Sequence, residues 1–568
     1  MKSRLLVIAL LTLLWAGLYL PALGDTELKG EEPRRIMPGL HMIQSGDWLH
    51  TYIGATPYVR KPPLVNWAIA ASVVATGSYS EFAYRLPSVL AVLLLVVGTA
   101  VFTWRWLGIG GAFLAGVFIL TNISMLEKGR LAEIEAIYIA CSGLAIAWWL
   151  PRFARGESAW SQWAVPGIFL GLGMLAKGPA HILYFYAVVI GACWTTKNWR
   201  TLLTPAHGLA LLLTAAIFAA WAIPYAHSGA SPSADPETAA ATAKVSAAWL
   251  GQLTSRLGFD DFKFADWALN IPRGILNLLP WALFFPLLWN RRWLAALSDD
   301  RERALIRGAR NGVVTAFVAV SLMPGALERY TLPLMTAILL LLARVVIARS
   351  RVVLLAPDRK TAPDWDPMES TLCRAWKVSN LVVVLFGWFM FFGAMIITLA
   401  VPPDGSWLLA GIVFFTIGGI ITLACQPYTG MRVAPAPTAM LALGSGLIIT
   451  GIMCYFAAAA PIMERDDNLR PLRARTVGQL PPGTTLWVQD SGWRPFWVYL
   501  MPEAHFYTRF KEAPFGPEPL ALLVKQDSAE RVLTDSRFNT RPGMVLATLQ
   551  DKEGNKLALL HFPSEPRN

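Results

Sequence analysis

Charge is scarce in this chain. Of its 568 residues only 15% are Asp, Glu, Lys or Arg, and 55% are hydrophobic. Soluble proteins carry about 25% charged residues, so the composition argues against a soluble enzyme and for a polytopic membrane protein. Cysteine is also scarce. The five are Cys141, Cys193, Cys373, Cys425 and Cys454; none belongs to a C-x-x-C pair, and four lie in or at the ends of apolar runs. That argues against a disulfide framework or a cysteine metal site. The seven histidines show no metal-ligand spacing, and His41, His50 and His227 in the polar loops receive no role. The net charge is +12, yet residues 461–568 hold 14 Lys/Arg against 13 Asp/Glu. The excess therefore sits in loops between apolar runs, as the positive-inside rule requires, and does not point to nucleic acid.

Long apolar runs are what the chain has in quantity. They fall at 4–22, 83–104, 109–124, 131–150, 163–177, 179–195, 207–226, 274–290, 309–324, 330–347, 378–400, 406–425 and 437–460. That predicts about thirteen transmembrane helices. Many of the 24 Trp and 27 Phe lie near the ends of these runs, as interfacial belts require. Residues 1–22 have the look of a signal peptide, but an uncleaved first helix is the simpler reading. With the N-terminus inside, the loops "PRFARGESAW" and "RRWLAALSDDRERALIRGAR" are cytoplasmic. The segments 23–82 and 227–273 and the C-terminal hundred residues then fall outside. In a bacterium the outside is the periplasm.

This sorting gathers charge. "GEEPRR", "RKPP", "EKGRLAEIE", "AKGP" and "LERY" all fall on the outer side, each at or beside a span end. Loop ends are often charged, which explains any one of them. It explains less well Glu133 and Glu135, which sit inside the start of an apolar run. Carboxylates act as bases or bind sugar hydroxyls and metals, while Lys and Arg clamp phosphate. The mixture suits transfer of a group from a lipid phosphate to an acceptor outside the membrane.

Within the first outer segment, "SGDW" (45–48), "TPY" (56–58) and "KPPLVNW" (61–67) follow one another. Downstream come "GRLAEIEAIYIA" (129–140), "GLGMLAKGPA" (171–180) and "ERYTLPLM" (328–335). In these stretches the chain resembles the bacterial aminoarabinose lipid A transferases and the protein O-mannosyltransferases of the GT-C superfamily. The likeness covers most of the first 350 residues. It implies an all-α polytopic GT-C domain, residues 1–460, with a small extracytoplasmic α/β domain at 461–568, in the bacterial inner membrane. It also implies inverting transfer of a sugar from a polyprenyl phosphate donor to an envelope acceptor: lipid A, a protein or another glycan.

By that resemblance Glu31 stands at the family's catalytic Asp and Glu32 at the Glu after it, with Asp25 as a rival. Arg34 matches the motif's Arg, and Lys61 the lysine on the lipid phosphate. Arg130 and Glu135 match an R-x-x-x-x-D motif with Glu for Asp. Lys177 and Arg329 are further phosphate or sugar contacts, and Tyr58 and Tyr330 line the groove. Arg60 replaces a Glu associated with metal in some members, so a divalent metal stays open and no ligand is assigned. The residues alone allow plainer readings: an ion pair for Glu31 and Arg34 three apart, an interfacial anchor for Lys61, a cap for Glu133, and a turn for 177–179.

The tail changes character. "TTLWVQD" (484–490), "LALLVK" (520–525), "MVLATLQD" (544–551) and "KLALLHF" (556–562) read as strands, and "DSAERVLTDSRF" (527–538) as a capped helix. Nothing in it carries catalytic residues, so it either helps choose the acceptor or stabilises the fold. Two rivals remain. A lipid-linked oligosaccharide ligase or polymerase shares the donor chemistry but not the "SGDW…KPPL" loop. A transporter would show related halves and mid-membrane charges, neither of which is evident.

Overall fold

The computed structural model describes residues 2–58, 60–228, 262–297, 299–355, 468–489, 492–507, 510, 515–550 and 554–565. The apolar runs at 378–400, 406–425 and 437–460, and most of the 227–273 segment, lie outside the described residues. The chain forms two compact units, each assembled from separated pieces of sequence.

The first unit comprises Met1–Leu23, Ser88–Ala222 and the described part of Ala247–Pro461. Its described elements are helices. Among the described residues five helices are long and apolar enough to cross a membrane: Lys2–Tyr19, Glu81–Leu120, Glu135–Ala154, Pro205–Ser228 and Glu328–Ser350. A sixth is added if Asn270–Leu276 and Trp281–Trp289, bent by 103° at their break, make one span. The runs expected at 83–104 and 109–124 are two segments of Glu81–Leu120, interrupted at Gly108 by a non-helical backbone. Those expected at 163–177 and 179–195 are the shorter helices Pro166–Lys177 and Ala180–Thr196. The first of these has 12 residues. At about 1.5 Å per residue that gives roughly 18 Å, short of the ~30 Å hydrocarbon core. The run expected at 309–324 is the apolar second half of a helix that starts earlier, Asp300–Ser321, capped by the Asp299 side chain on the Arg301 N–H.

Small residues bring two of these helices together. Ala180–Thr196 packs along Asp300–Ser321, and a Cβ at Gly308 would collide with the Gly191 carbonyl oxygen and Thr195 Oγ1. Backbones that approach this closely are held by dispersion along their length, which in lipid replaces the missing hydrophobic drive. Glu135–Ala154 is buried over most of its length and carries Glu135 in its first turn.

The second unit comprises Gly24–Pro87, Ile223–Ser246 and Ile462–Asn568. The segment expected as the first outer loop is thus one body with the C-terminal region. It contains helix Glu32–Ser45, a two-stranded hairpin of β1 (Tyr52–Ile53) and β2 (Thr56–Pro57), and helix Leu64–Thr76. The C-terminal sheet has β3 (Thr485–Gln489), β4 (Ala504–Tyr507), β5 (Leu520–Lys525), β6 (Met544–Gln550) and β7 (Lys556–Phe562) in the order β4-β3-β5-β7-β6. β3 runs parallel to both β4 and β5, while β7 is antiparallel to β5 and β6. Four of these strands match the expected segments; β4 was not anticipated. The helix expected over 527–538 is shorter, Ala529–Leu533, with single 3-10 turns on either side. Asp535 explains the stop: its side chain accepts the Arg537 N–H, an alternative to continued helix.

Polar bonds tie the two parts of this unit. Glu27 accepts the Arg470 N–H at 2.7 Å at the start of helix Leu469–Gly478, whose N-cap side chain makes no such bond. Glu81 accepts from Arg470 Nε at 2.9 Å and from the Tyr499 hydroxyl at 2.6 Å. The same hydroxyl accepts the Leu28 N–H at 3.0 Å. Burial and then the Glu81 carboxylate raise the Tyr499 pKa, which keeps the phenol protonated as the donor.

Candidate active site

The adjacent carboxylates Glu31 and Glu32 diverge. Helix Glu32–Ser45 begins with Pro33 in its first turn, and Glu31 is its N-cap residue. Glu32 is 0% exposed and bound on both oxygens by Arg85, at 2.8 Å and 2.9 Å. It also accepts the Lys29 N–H at 3.0 Å. Arg85 continues to the carbonyls of Thr26 and Glu27. This satisfied buried pair fixes the turn that carries Glu31. The Glu31 side chain is 27% exposed and receives Arg35 Nη2 at 3.1 Å and Arg34 Nη1 at 3.4 Å. Arg35 Nη1 donates to the Tyr58 hydroxyl at 2.7 Å. The structure thus brings Glu31, Arg34 and Tyr58 together, and adds Arg35, which the sequence reading passed over. Lys61 is half-buried ahead of helix Leu64–Thr76, Arg60 is exposed, and Asp25 is half-buried in the turn before Glu31.

The SGDW stretch builds a corner. The Gly46 N–H closes the helix on the Met42 carbonyl, and Asp47 Oδ1 accepts the N–H groups of Leu49 and His50. Asp47 Oδ2 lies 2.7 Å from His50 Nδ1, and His50 Nε2 lies 2.7 Å from Ser228 Oγ. Burial alone would raise the Asp47 carboxyl, but His50 and the two backbone N–H groups hold it below its usual value. The string has the residue types of a nucleophilic triad. However, Ser228 Oγ also lies 2.7 Å from the Tyr225 carbonyl, an acceptor that competes with His50 for its proton. His50 is a tether between this corner and the end of helix Pro205–Ser228.

The first unit carries its own cluster. Glu135 Oε1 receives Lys177 Nζ at 2.9 Å and lies 3.8 Å from Arg329 Nε. The Lys177 ammonium sits 5.3 Å from the Tyr138 ring centre and 5.4 Å from that of Tyr330. Two cations face one carboxylate oxygen, a grouping of the kind that holds an anion. Lys177 ends its helix at a hairpin pinned by His181, whose Nε2 meets the Leu170 carbonyl at 2.8 Å. Glu133 pairs with Lys128 at 3.4 Å. Burial alone would lower the Lys128 pKa, and the facing Glu133 and Glu127 carboxylates raise it, so the lysine stays charged. Arg130 lies against the end of the first helix. It donates to the carbonyls of Leu18, at 2.8 Å, and Pro21, closing the end of the first helix.

Residues 60–223 match the family described as dolichyl-phosphate-mannose-protein mannosyltransferase. An undecaprenyl phosphate-alpha-4-amino-4-deoxy-L-arabinose arabinosyl transferase 2 of Proteus mirabilis (strain HI4320) is 22% identical over 98% of this chain and 95% of its own. That of Pseudomonas fluorescens (strain Pf0-1) is 21% identical over 95% and 91%. The fold matches crystal structures of ArnT from Cupriavidus metallidurans. For the one bound to undecaprenyl phosphate the TM-score is 0.65 at 17% identity, covering 98% of this chain and 97% of that one. For the apo state the TM-score is 0.61. The chain is similar to membrane glycosyltransferases of the aminoarabinose-transferase type, and it shares the GT-C fold of the ArnT structures.

The expected residues fall in two groups: Glu31, Glu32, Arg34, Tyr58 and Lys61 in the second unit, and Arg130, Glu135, Lys177, Arg329 and Tyr330 in the first. Among the described residues no three of His, Cys, Asp and Glu gather as metal ligands.

Proposed function

We propose that the protein moves a sugar from an undecaprenyl phosphate donor to an envelope acceptor at the periplasmic face of a bacterial inner membrane, with 4-amino-4-deoxy-arabinose the first sugar to test. The observation that carries the reading is the Glu135–Lys177–Arg329 cluster. It is a cation-rich group with two tyrosine rings, in a GT-C fold, suited to holding a phosphate as it becomes a leaving group. In the inverting step the acceptor oxygen forms a bond to the anomeric carbon. The bond from that carbon to the phosphate oxygen breaks, and undecaprenyl phosphate leaves with the electron pair. Lys177 and Arg329 balance its charge, and Lys61 contributes as the resemblance implies. Glu31, held by Arg34 and Arg35, takes the proton of a hydroxyl acceptor, or orients an acceptor that attacks through a phosphate oxygen.

Glu32 and Arg130 change roles in this account. Their bonds make them positioning residues, Glu32 for the Glu31 turn and Arg130 for the end of the first helix. Residues 1–460 form the membrane part with about thirteen spans and a cytoplasmic N-terminus, and 461–568 face the periplasm. The loop charges support this orientation. To test the function, the purified protein in nanodiscs is incubated with undecaprenyl phosphate-aminoarabinose and lipid A, and the acceptor is weighed by mass spectrometry. One added aminoarabinose is expected. An unchanged acceptor across a panel of lipid A, peptide and glycan acceptors and several undecaprenyl phosphate sugars removes the reading.

A further inference from the structure

Trp493 contrasts with its neighbour Trp497. Trp497 is 2% exposed inside helix Pro495–Leu500, whereas Trp493, just before that helix, is 38% exposed. The turn that presents it contains Gly492 at φ +99°, a conformation L side chains rarely adopt. The helix behind it is anchored, since Gln44 Nε2 on helix Glu32–Ser45 donates to the Met501 carbonyl. The Arg34 guanidinium carbon lies 5.8 Å from the Trp493 ring centre and 5.5 Å from that of Tyr58. Arg34 Nε is buried and has no acceptor among the described residues, while Nη1 reaches Glu31. A partly exposed indole, a partly exposed guanidinium and a partly exposed carboxylate therefore stand side by side in the second unit. An indole face packs on the C–H face of a sugar ring, and a guanidinium binds phosphate oxygens in a fixed fork.

We propose that Trp493 and Arg34 form an acceptor subsite for a sugar ring bearing a phosphate, Trp493 stacking on the ring and Arg34 holding the anion. The C-terminal region thereby selects the acceptor. The proposal rests on the transferase reading and moves Arg34 from the donor side to the acceptor side.

The test titrates acceptor against full-length protein in nanodiscs at saturating undecaprenyl phosphate-aminoarabinose, comparing wild type, Trp493→Ala and Trp493→Phe. Lipid A and soluble glucosamine 1-phosphate serve as the two acceptors. Trp493→Ala is expected to raise the acceptor KM roughly tenfold, the loss of one aromatic contact, with the donor KM in place. Trp493→Phe stays near wild type. A rise with lipid A alone identifies a lipid-anchored phosphosugar; a rise with both identifies the phosphosugar itself. An unchanged acceptor KM overturns the proposal, as does a rise in both KM values together with a lower Tm. If wild type transfers nothing, the transferase reading falls, and equilibrium binding of the two acceptors decides the subsite. Weaker binding by Trp493→Ala supports it; equal or absent binding overturns it.

Discussion

Glu31 and Glu32 are chemically alike and adjacent, yet one is half-exposed among guanidiniums and the other is sealed against Arg85. Glu31→Gln is expected to leave Tm unchanged and lower kcat, by roughly 10²–10⁴-fold for a hydroxyl acceptor and by less for a phosphate. Arg85→Met leaves the Glu32 carboxylate buried without its partner. It is expected to cost about 3–5 kcal/mol, read as a lower midpoint in thermal or denaturant unfolding. Equal effects of the two variants on Tm would contradict the division of labour. The sequence could not rank these carboxylates, because the deciding partner lies 53 residues away. It placed Glu31, Arg34 and Tyr58 because they share short motifs. It missed Arg35 beside a better-known arginine, and nothing local reveals that Arg130 also donates to two backbone carbonyls.

Among the elements, the close approach of Ala180–Thr196 to Asp300–Ser321 bears most directly on the first unit. Gly308→Val would push these helices apart, and overpacking of this kind costs about 1–3 kcal/mol or more. A lower folded yield and a lower Tm in detergent are expected, while Gly208→Ala, where a Cβ meets no atom within 4 Å, serves as the control. A Gly308→Val protein as stable as wild type would show that the helices do not need this contact. The long apolar runs were legible because burial in lipid imposes their length and composition. The breaks were less so: the bend between Asn270–Leu276 and Trp281–Trp289 interrupts one continuous apolar run. The strand Ala504–Tyr507 escaped notice because four mixed residues carry too little alternation.

For the whole molecule, orientation is the first consequence. In a background without the native cysteines, Lys525→Cys is expected to react with a membrane-impermeant maleimide in cells whose outer membrane alone has been opened. Arg301→Cys, exposed at the polar start of its helix, is expected to react only after lysis. The reverse pattern would invert the topology. The membrane class and the separate C-terminal sheet could be read from composition and alternation. That the 24–87 segment and the C-terminal region make one compact unit could not, because Glu27–Arg470 and Glu81–Tyr499 join residues hundreds apart in sequence.

The most direct test of the central claim measures free undecaprenyl phosphate released from undecaprenyl phosphate-aminoarabinose in the presence of acceptor. Wild type is run beside one variant from each cluster, Glu31→Gln and Lys177→Ala. The account predicts release by wild type and a large loss in both variants with their Tm values kept. Release at the wild-type rate by both variants would contradict it.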